Sequence, residues 1–219
     1  MKKRILILIT FVIGGVFFSC NREVILTYID NIVIDLGSTE EDVLAYVSAS
    51  DGSAVSVSGI DYDLVGEQMA TFTADDKSEK KSVKIKSDKL AGMYRMSVFL
   101  LNEGEEYNLT PGNGWLMEIT KGSQYNQINI PDTSETGVSV FVDQGKLVIT
   151  FNGKDSATIP GYTGEFAFAL SRSHWSFSNI NYGPIGNGDY TLKGFLMKQI
   201  PVGTNYEHYY RVELDKQTD

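Results

Sequence analysis

The residues of this 219-residue chain that could do chemistry are two histidines, one cysteine and a few paired carboxylates. His174 and His208 lie far apart, and neither has a second His or a Cys at ligand spacing, which disfavours a zinc site. A solvated or core-satisfied imidazole is the simpler role for both. A Ser–His–Asp site can assemble from distant residues, but no Gly-x-Ser-x-Gly elbow is present to hold a serine at a strand–helix turn. The carboxylate pairs are Asp61/Asp63, Asp75/Asp76 and Glu105/Glu106. Glycoside hydrolysis needs two carboxyls about 5–9 Å apart across a sugar cleft. These pairs fall in turns or polar segments, where solvation is the default. Asp51-Gly52-Ser53 and Asp75-Asp76 offer oxygens to calcium but lack the full ligand loop. Gly183-Pro184-Ile185-Gly186-Asn187-Gly188 has no following helix, so it reads as a hairpin loop and not as a phosphate cradle. The chain therefore reads as non-catalytic, with no metal site and no cofactor expected.

Aromatic residues make the stronger pattern. Trp115 follows the turn-rich Thr110-Pro111-Gly112-Asn113-Gly114, and Trp175 adjoins His174 at the start of a strand. Tyr182, Tyr190, Tyr206, Tyr209 and Tyr210 gather in the last forty residues beside Asn179, Asn181, Asn187 and Asn205. A flat aromatic face packs on the apolar C–H face of a sugar, and neighbouring amides bind its hydroxyls; Tyr and Trp suit such wet contacts because one end is apolar and the other polar. The competing role is cross-strand packing, since aromatics favour sheets. The candidate ligand-binding residues are Trp115, Trp175, Tyr182 and Tyr190. Exposure is expected at the Trp115 loop and the Tyr182–Tyr190 hairpin.

The elements that must position them are strands. After residue 20, period-two alternation and β-branched or aromatic runs are punctuated by Gly, Asn and Asp every 8–12 residues, the spacing of sandwiches and barrels. The one helix start signal is Ser38-Thr39-Glu40-Glu41-Asp42, with Ser38 expected to cap a turn through Val43-Leu44-Ala45. Ser78–Ser87 alternates charged and apolar residues as an exposed final strand would. A composition shift follows, so a domain boundary is expected near residues 87–91. The second unit, 90–216, should hold about eight to ten strands, opening at Ala91–Val98 with Met93, Arg95 and Ser97 on one face. Its clearest hairpin joins Val138–Val142 to Leu147–Phe151 through Asp143-Gln144-Gly145-Lys146, where Gly145 can take positive φ.

The N-terminus carries a second message. Met1-Lys-Lys-Arg4 precedes the uncharged run Ile5–Phe18, too short for a comfortable bilayer span of about 20 residues and shaped like a secretory signal. Removing residues 1–19 discards three of the 19 basic side chains and none of the 28 acidic ones, which takes the formal charge from −9 to −12. A chain so acidic repels phosphate backbones and anionic lipid, so nucleic acid is not an expected partner. Cys20 is the only cysteine, so no disulfide forms within the chain, and the fold rests on its core.

Three resemblances add expectations. Phe17-Phe18-Ser19-Cys20 resembles a loose bacterial lipobox in the style of the Bacteroidetes, which implies cleavage before Cys20 and acylation of its thiol and new amino group. Several acyl chains, at about 0.8 kcal/mol per buried methylene, would hold such a protein on a membrane. Residues 24–87, with Leu36-Gly37-Ser38, Val65-Gly66 and Thr71-Phe72-Thr73-Ala74, resemble the short Ig-like modules of bacterial surface proteins, which implies a spacer; Asp75-Asp76-Lys77-Ser78 departs from their usual turn. Gly164-Glu165-Phe166-Ala167-Phe168, Ile180-Asn181-Tyr182 and Phe195-Leu196-Met197-Lys198 resemble closing strands of the calycin-like domains that follow such modules in Bacteroidetes surface lipoproteins.

Together these give an all-β expectation: signal 1–19, lipidated tether 20–23, an Ig-like β-sandwich 24–87, and an antiparallel β-barrel or flattened β-sandwich 90–216. The functional expectation is a non-catalytic outer-membrane lipoprotein, anchored by acyl chains and serving as the glycan-binding accessory of a polysaccharide-uptake system. An envelope protein partner, a small apolar ligand in a calycin-like barrel, and a structural or assembly role are the alternatives. Asn21-Arg22-Glu23 lacks an acidic export-like run, so cell-surface and periplasm-facing placements both stand.

Overall fold

The computed structural model describes residues 23–110, 112–131, 145–153, 157–166 and 169–217, with backbone alone at 169–170. Cys20, the signal segment and the Val138–Val142 arm of the expected hairpin lie outside these residues. The chain is nearly all β, in curled antiparallel sheets that form half-barrels.

Six strands come first: β1 Leu26–Tyr28, β2 Ile32–Asp35, β3 Val47–Ala49, β4 Ser56–Ser58, β5 Gly66–Ala74 and β6 Lys77–Lys86. β1 pairs with β3, and a second sheet runs β2-β6-β5-β4 with β2 parallel to β6. Period two decides the faces. Ala70, Phe72 and Ala74 of β5 and Val83 and Ile85 of β6 are buried, while the intervening residues are not. The small sheet covers this face partly through Tyr28, whose ring meets Phe72 edge-on with centroids 5.5 Å apart. Helix α1, Glu40–Leu44, is capped by Thr39 and not by Ser38 as the sequence suggested. Asp42 accepts the Thr39 N–H at 2.7 Å and its hydroxyl at 3.0 Å. The Ser38 N–H is already spent on the Asp35 carbonyl, which closes the preceding turn. Three acids in the first turn then complement the helix dipole.

A 3-10 turn at Asp88–Leu90 leads into the larger sheet: β7 Gly92–Asn102, β8 Glu105–Asn108, β9 Trp115–Lys121, β10 Gln127–Pro131, β11 Lys146–Phe151, β12 Ala157–Thr158, β13 Tyr162–Phe166, β14 Ala169–Gly186, β15 Asp189–Pro201 and β16 His208–Lys216. The order β12-β11-β10-β9-β7-β16-β15-β14-β13 is an up-and-down meander in which β7 and β16, the first and last of these strands along the chain, pair across Tyr94–Leu101 and Tyr209–Lys216. Its two ends, β12 and β13, follow one another in sequence without pairing among the described residues. β8 and β9 lie along the same edge of β7, joined through Leu109 and Thr110.

Tight turns are written in the sequence. Glu103-Gly104 and Asn187-Gly188 both take positive φ (51° and 88°, 51° and 73°), the pattern of a hairpin turn that follows strand twist. Alternation sends Tyr94, Met96 and Val98 of β7 inward and leaves Arg95 and Ser97 outside. Met117, Ile128, Ile149, Phe166 and Met197 add to the same interior. Each large apolar side chain so buried stabilises the fold by about 1.5–3 kcal/mol. A polar chain is sealed among them: Tyr210 donates to Gln199 Oε1 at 2.5 Å, Gln199 Nε2 to Ser173 Oγ at 2.8 Å, and Ser173 to the Ser171 carbonyl at 3.0 Å.

Candidate functional site

The first of the two sheet systems docks on the second through the loop before β5. The Gly153 N–H, just past β11, donates to the Val65 carbonyl at 3.0 Å, and the Val65 N–H donates to the Tyr182 hydroxyl oxygen at 2.9 Å. Backbone approaches backbone so closely here that a Cβ on Gly66 would stand 2.2 Å from the Gly153 nitrogen. Gly37 does the same for Tyr190, whose ring a Cβ would meet at 2.6 Å. The Tyr190 hydroxyl donates to the Asp63 carboxylate. Burial, then that carboxylate, pushes Tyr190 up to about 12, so the donor stays protonated.

Beside this contact lies a cleft of about 410 Å³ lined by Asp63 and Leu64 from the loop, Phe151 and Gly153 from the end of β11, Ala157 of β12, and Asn179–Tyr182 of β14. Its volume falls in the ordinary range of ligand sites, about 300–1,000 Å³. Tyr182 forms its firm wall: its ring meets Phe151 edge-on at 5.1 Å, and its hydroxyl is pinned by Val65. Burial raises the Tyr182 pKa, the Val65 N–H opposes that, and Asp61 and Asp63 reinforce it. The phenol is thus neutral and fixed. Asn179 and Asn181 are exposed and make no side-chain hydrogen bond among the described residues. Asn179 holds φ 52°, and the β14–β15 register slips between Ser178 and Asn181. A bulge of this kind re-aims side chains. The arrangement can bind a polyol: an aromatic wall, amides that donate and accept, and a carboxylate at the rim.

Of the four aromatic candidates, only Tyr182 lines this cleft. Trp115 is 6% exposed and Tyr190 4%, which corrects the exposure expected for both. Thr110 is buried, its Oγ1 accepting the Val98 N–H at 2.6 Å; Gly112 and Asn113 are exposed, but Trp115 begins β9 with its indole in the core. Tyr190 is covered by Gly37 and Asp63. Trp175 is buried too, donating Nε1–H to the Gly164 carbonyl at 2.9 Å and packing against Tyr162, Phe166 and Tyr210. These three present no free face to a ligand. Tyr206 and Tyr209 are exposed but line none of the clefts described. His174 is exposed and shares a hydrogen with Thr163 at 2.8 Å. His208 is also exposed. Among the described residues no three His, Cys, Asp or Glu side chains gather as a metal site would require.

Sequence reasoning treated Asp63 as a solvated turn acid and Phe151 as an ordinary strand residue. Their role depends on a contact between segments about a hundred residues apart, which no local pattern announces. The fold and the cleft place the chain among all-β proteins with a ligand-sized cleft at the contact of two sheet systems. Compared with known protein families, characterised proteins and solved structures, the chain matches none.

Proposed function

We propose that this protein is a non-catalytic lipoprotein of the outer membrane, anchored through acylated Cys20, that binds a glycan as an accessory of polysaccharide uptake. The observation that carries the reading is the junction cleft, where the fixed ring of Tyr182 stands beside the exposed amides of Asn179 and Asn181. Amide side chains each offer donors and an acceptor, the complement of vicinal hydroxyls. The inner face of the larger sheet is packed with buried apolar side chains, which favours the glycan over a calycin-like use of the interior.

The test is a glycan array probed with the detergent-purified protein and its Asn181→Ala variant. Asn181 is exposed, so its removal leaves the core intact. Lost hydrogen bonds worth about 0.5–1.5 kcal/mol should weaken binding roughly two- to tenfold. Folded protein that binds no glycan would sink the proposal.

A further inference from the structure

Asn179 and Asn181 also line a second cleft, of about 280 Å³, together with Lys193, Gly194 and Arg211. Lys193 and Glu213 in turn line a third, of about 310 Å³, with Arg95, Ser97, Asn113 and Asp215. The first two share Asn179 and Asn181, and the second and third share Lys193 and Glu213. The register explains the course: Ser97 lies opposite Glu213, Glu213 opposite Gly194, and Gly194 opposite Asn181. Three inter-strand steps of about 4.8 Å make a path of roughly 14 Å across the outer face. Gly194 is its low point. It holds φ 147° where a Cβ would stand 2.0 Å from the Val212 carbonyl oxygen, so the middle of the row carries no side chain.

The lining carries charges of both signs. Arg211 is engaged with Glu106, at 3.1 and 2.5 Å, and with Glu213; Asp215 accepts from Gln217 Nε2 at 3.1 Å. Arg95 and Lys193 make no ion pair or side-chain hydrogen bond among the described residues. Arg95 and Lys193 therefore face the trench as cations without an ion-pair partner, beside the carboxylates of Glu213 and Asp215, the latter directly opposite Arg95 in the β7–β16 register.

Resting on the glycan-binding reading, we propose that the ligand is an anionic oligosaccharide lying along this trench. Its neutral rings sit at the Tyr182 cleft, and its carboxylate or sulfate groups are held by Lys193 and Arg95. An acidic polypeptide would satisfy the cations but leave the amide-lined cleft unused.

The experiment is calorimetric titration of the detergent-purified protein with an oligogalacturonate, a sulfated galactan oligomer, a neutral glucan of equal length and poly-glutamate. The inference expects at least one anionic glycan to bind roughly tenfold tighter than the glucan, a preference that the Lys193→Ala/Arg95→Ala double variant abolishes and added salt weakens. Equal affinity for neutral and anionic glycans, or a preference that survives the double variant, overturns the inference and leaves the glycan reading standing. Poly-glutamate bound as tightly as the acidic glycans overturns it in favour of an acidic peptide. No binding of any glycan overturns both readings together.

Discussion

Gly66→Ala probes the contact on which the candidate site depends. Gly66 has φ 128°, a conformation that costs a residue with a side chain about 1–3 kcal/mol. The new Cβ would also stand 2.2 Å from the Gly153 nitrogen and 2.9 Å from the Asn152 carbonyl carbon, both backbone atoms that cannot swing aside. Forcing them apart is overpacking, about 1–3 kcal/mol more. The expected loss is therefore about 2–6 kcal/mol, a large share of the roughly 5–15 kcal/mol that holds a domain folded. Gly52→Ala separates the two contributions: Gly52 has φ 79° in an exposed turn with nothing within 4 Å of the added methyl, so only backbone strain applies, about 1–2 kcal/mol. Urea unfolding of both variants and the parent measures the difference, with the slope m checked for a change in cooperativity. Gly66→Ala should exceed Gly52→Ala by about 1–3 kcal/mol and should weaken ligand binding, because the loop bearing Asp63 and Leu64 is pushed from the cleft. Equal losses for the two variants would refute the claim that the loop is docked as closely as described.

Tyr210→Phe leaves Gln199 Oε1 buried without the donor it has at 2.5 Å, and should cost about 1–3 kcal/mol in thermal or urea unfolding; no loss would deny that the sealed polar chain matters. Asp189 gives the pH dependence: burial alone would raise its pKa, but the Tyr190 N–H and the Lys216 ammonium at 3.0 Å outweigh burial and hold it below its ordinary 3.8. A depressed carboxylate adds stability above its unfolded pKa and loses it as pH falls through the folded one. Acid unfolding of Asp189→Asn should thus show a shallower fall below about pH 4 than the parent. Parallel curves would count against the pair.

How far the site could be read from the chain depends on which residues are local. Strand after strand follows the period-two alternation, and Asn187-Gly188 announces its hairpin without help from the rest of the molecule. The aromatic positions fail for a definite reason. A glycine-rich run before Trp115 looks like a loop tip in sequence, and Gly112 and Asn113 are indeed exposed, yet Thr110 is held at β7 by the Val98 N–H and the indole that opens β9 points into the core. Tyr190 sits beside a real hairpin tip, but the first sheet system lies over it, and a single strand's pattern cannot register a partner that arrives from residue 63. Asn179 is harder still: it takes positive φ within a long strand with no glycine to mark the spot, so the alternation slips there unseen and delivers two amides to one cleft. The trench is legible only across strands. Ser97, Glu213, Gly194 and Asn181 are scattered over more than a hundred residues and become one row when β7, β16, β15 and β14 pair. A bulge and an absent side chain, not a motif, therefore make the concave surface. That is why aromatic residues, the most conspicuous feature of the sequence, pointed mostly to the core, while a glycine and two asparagines carry the candidate site.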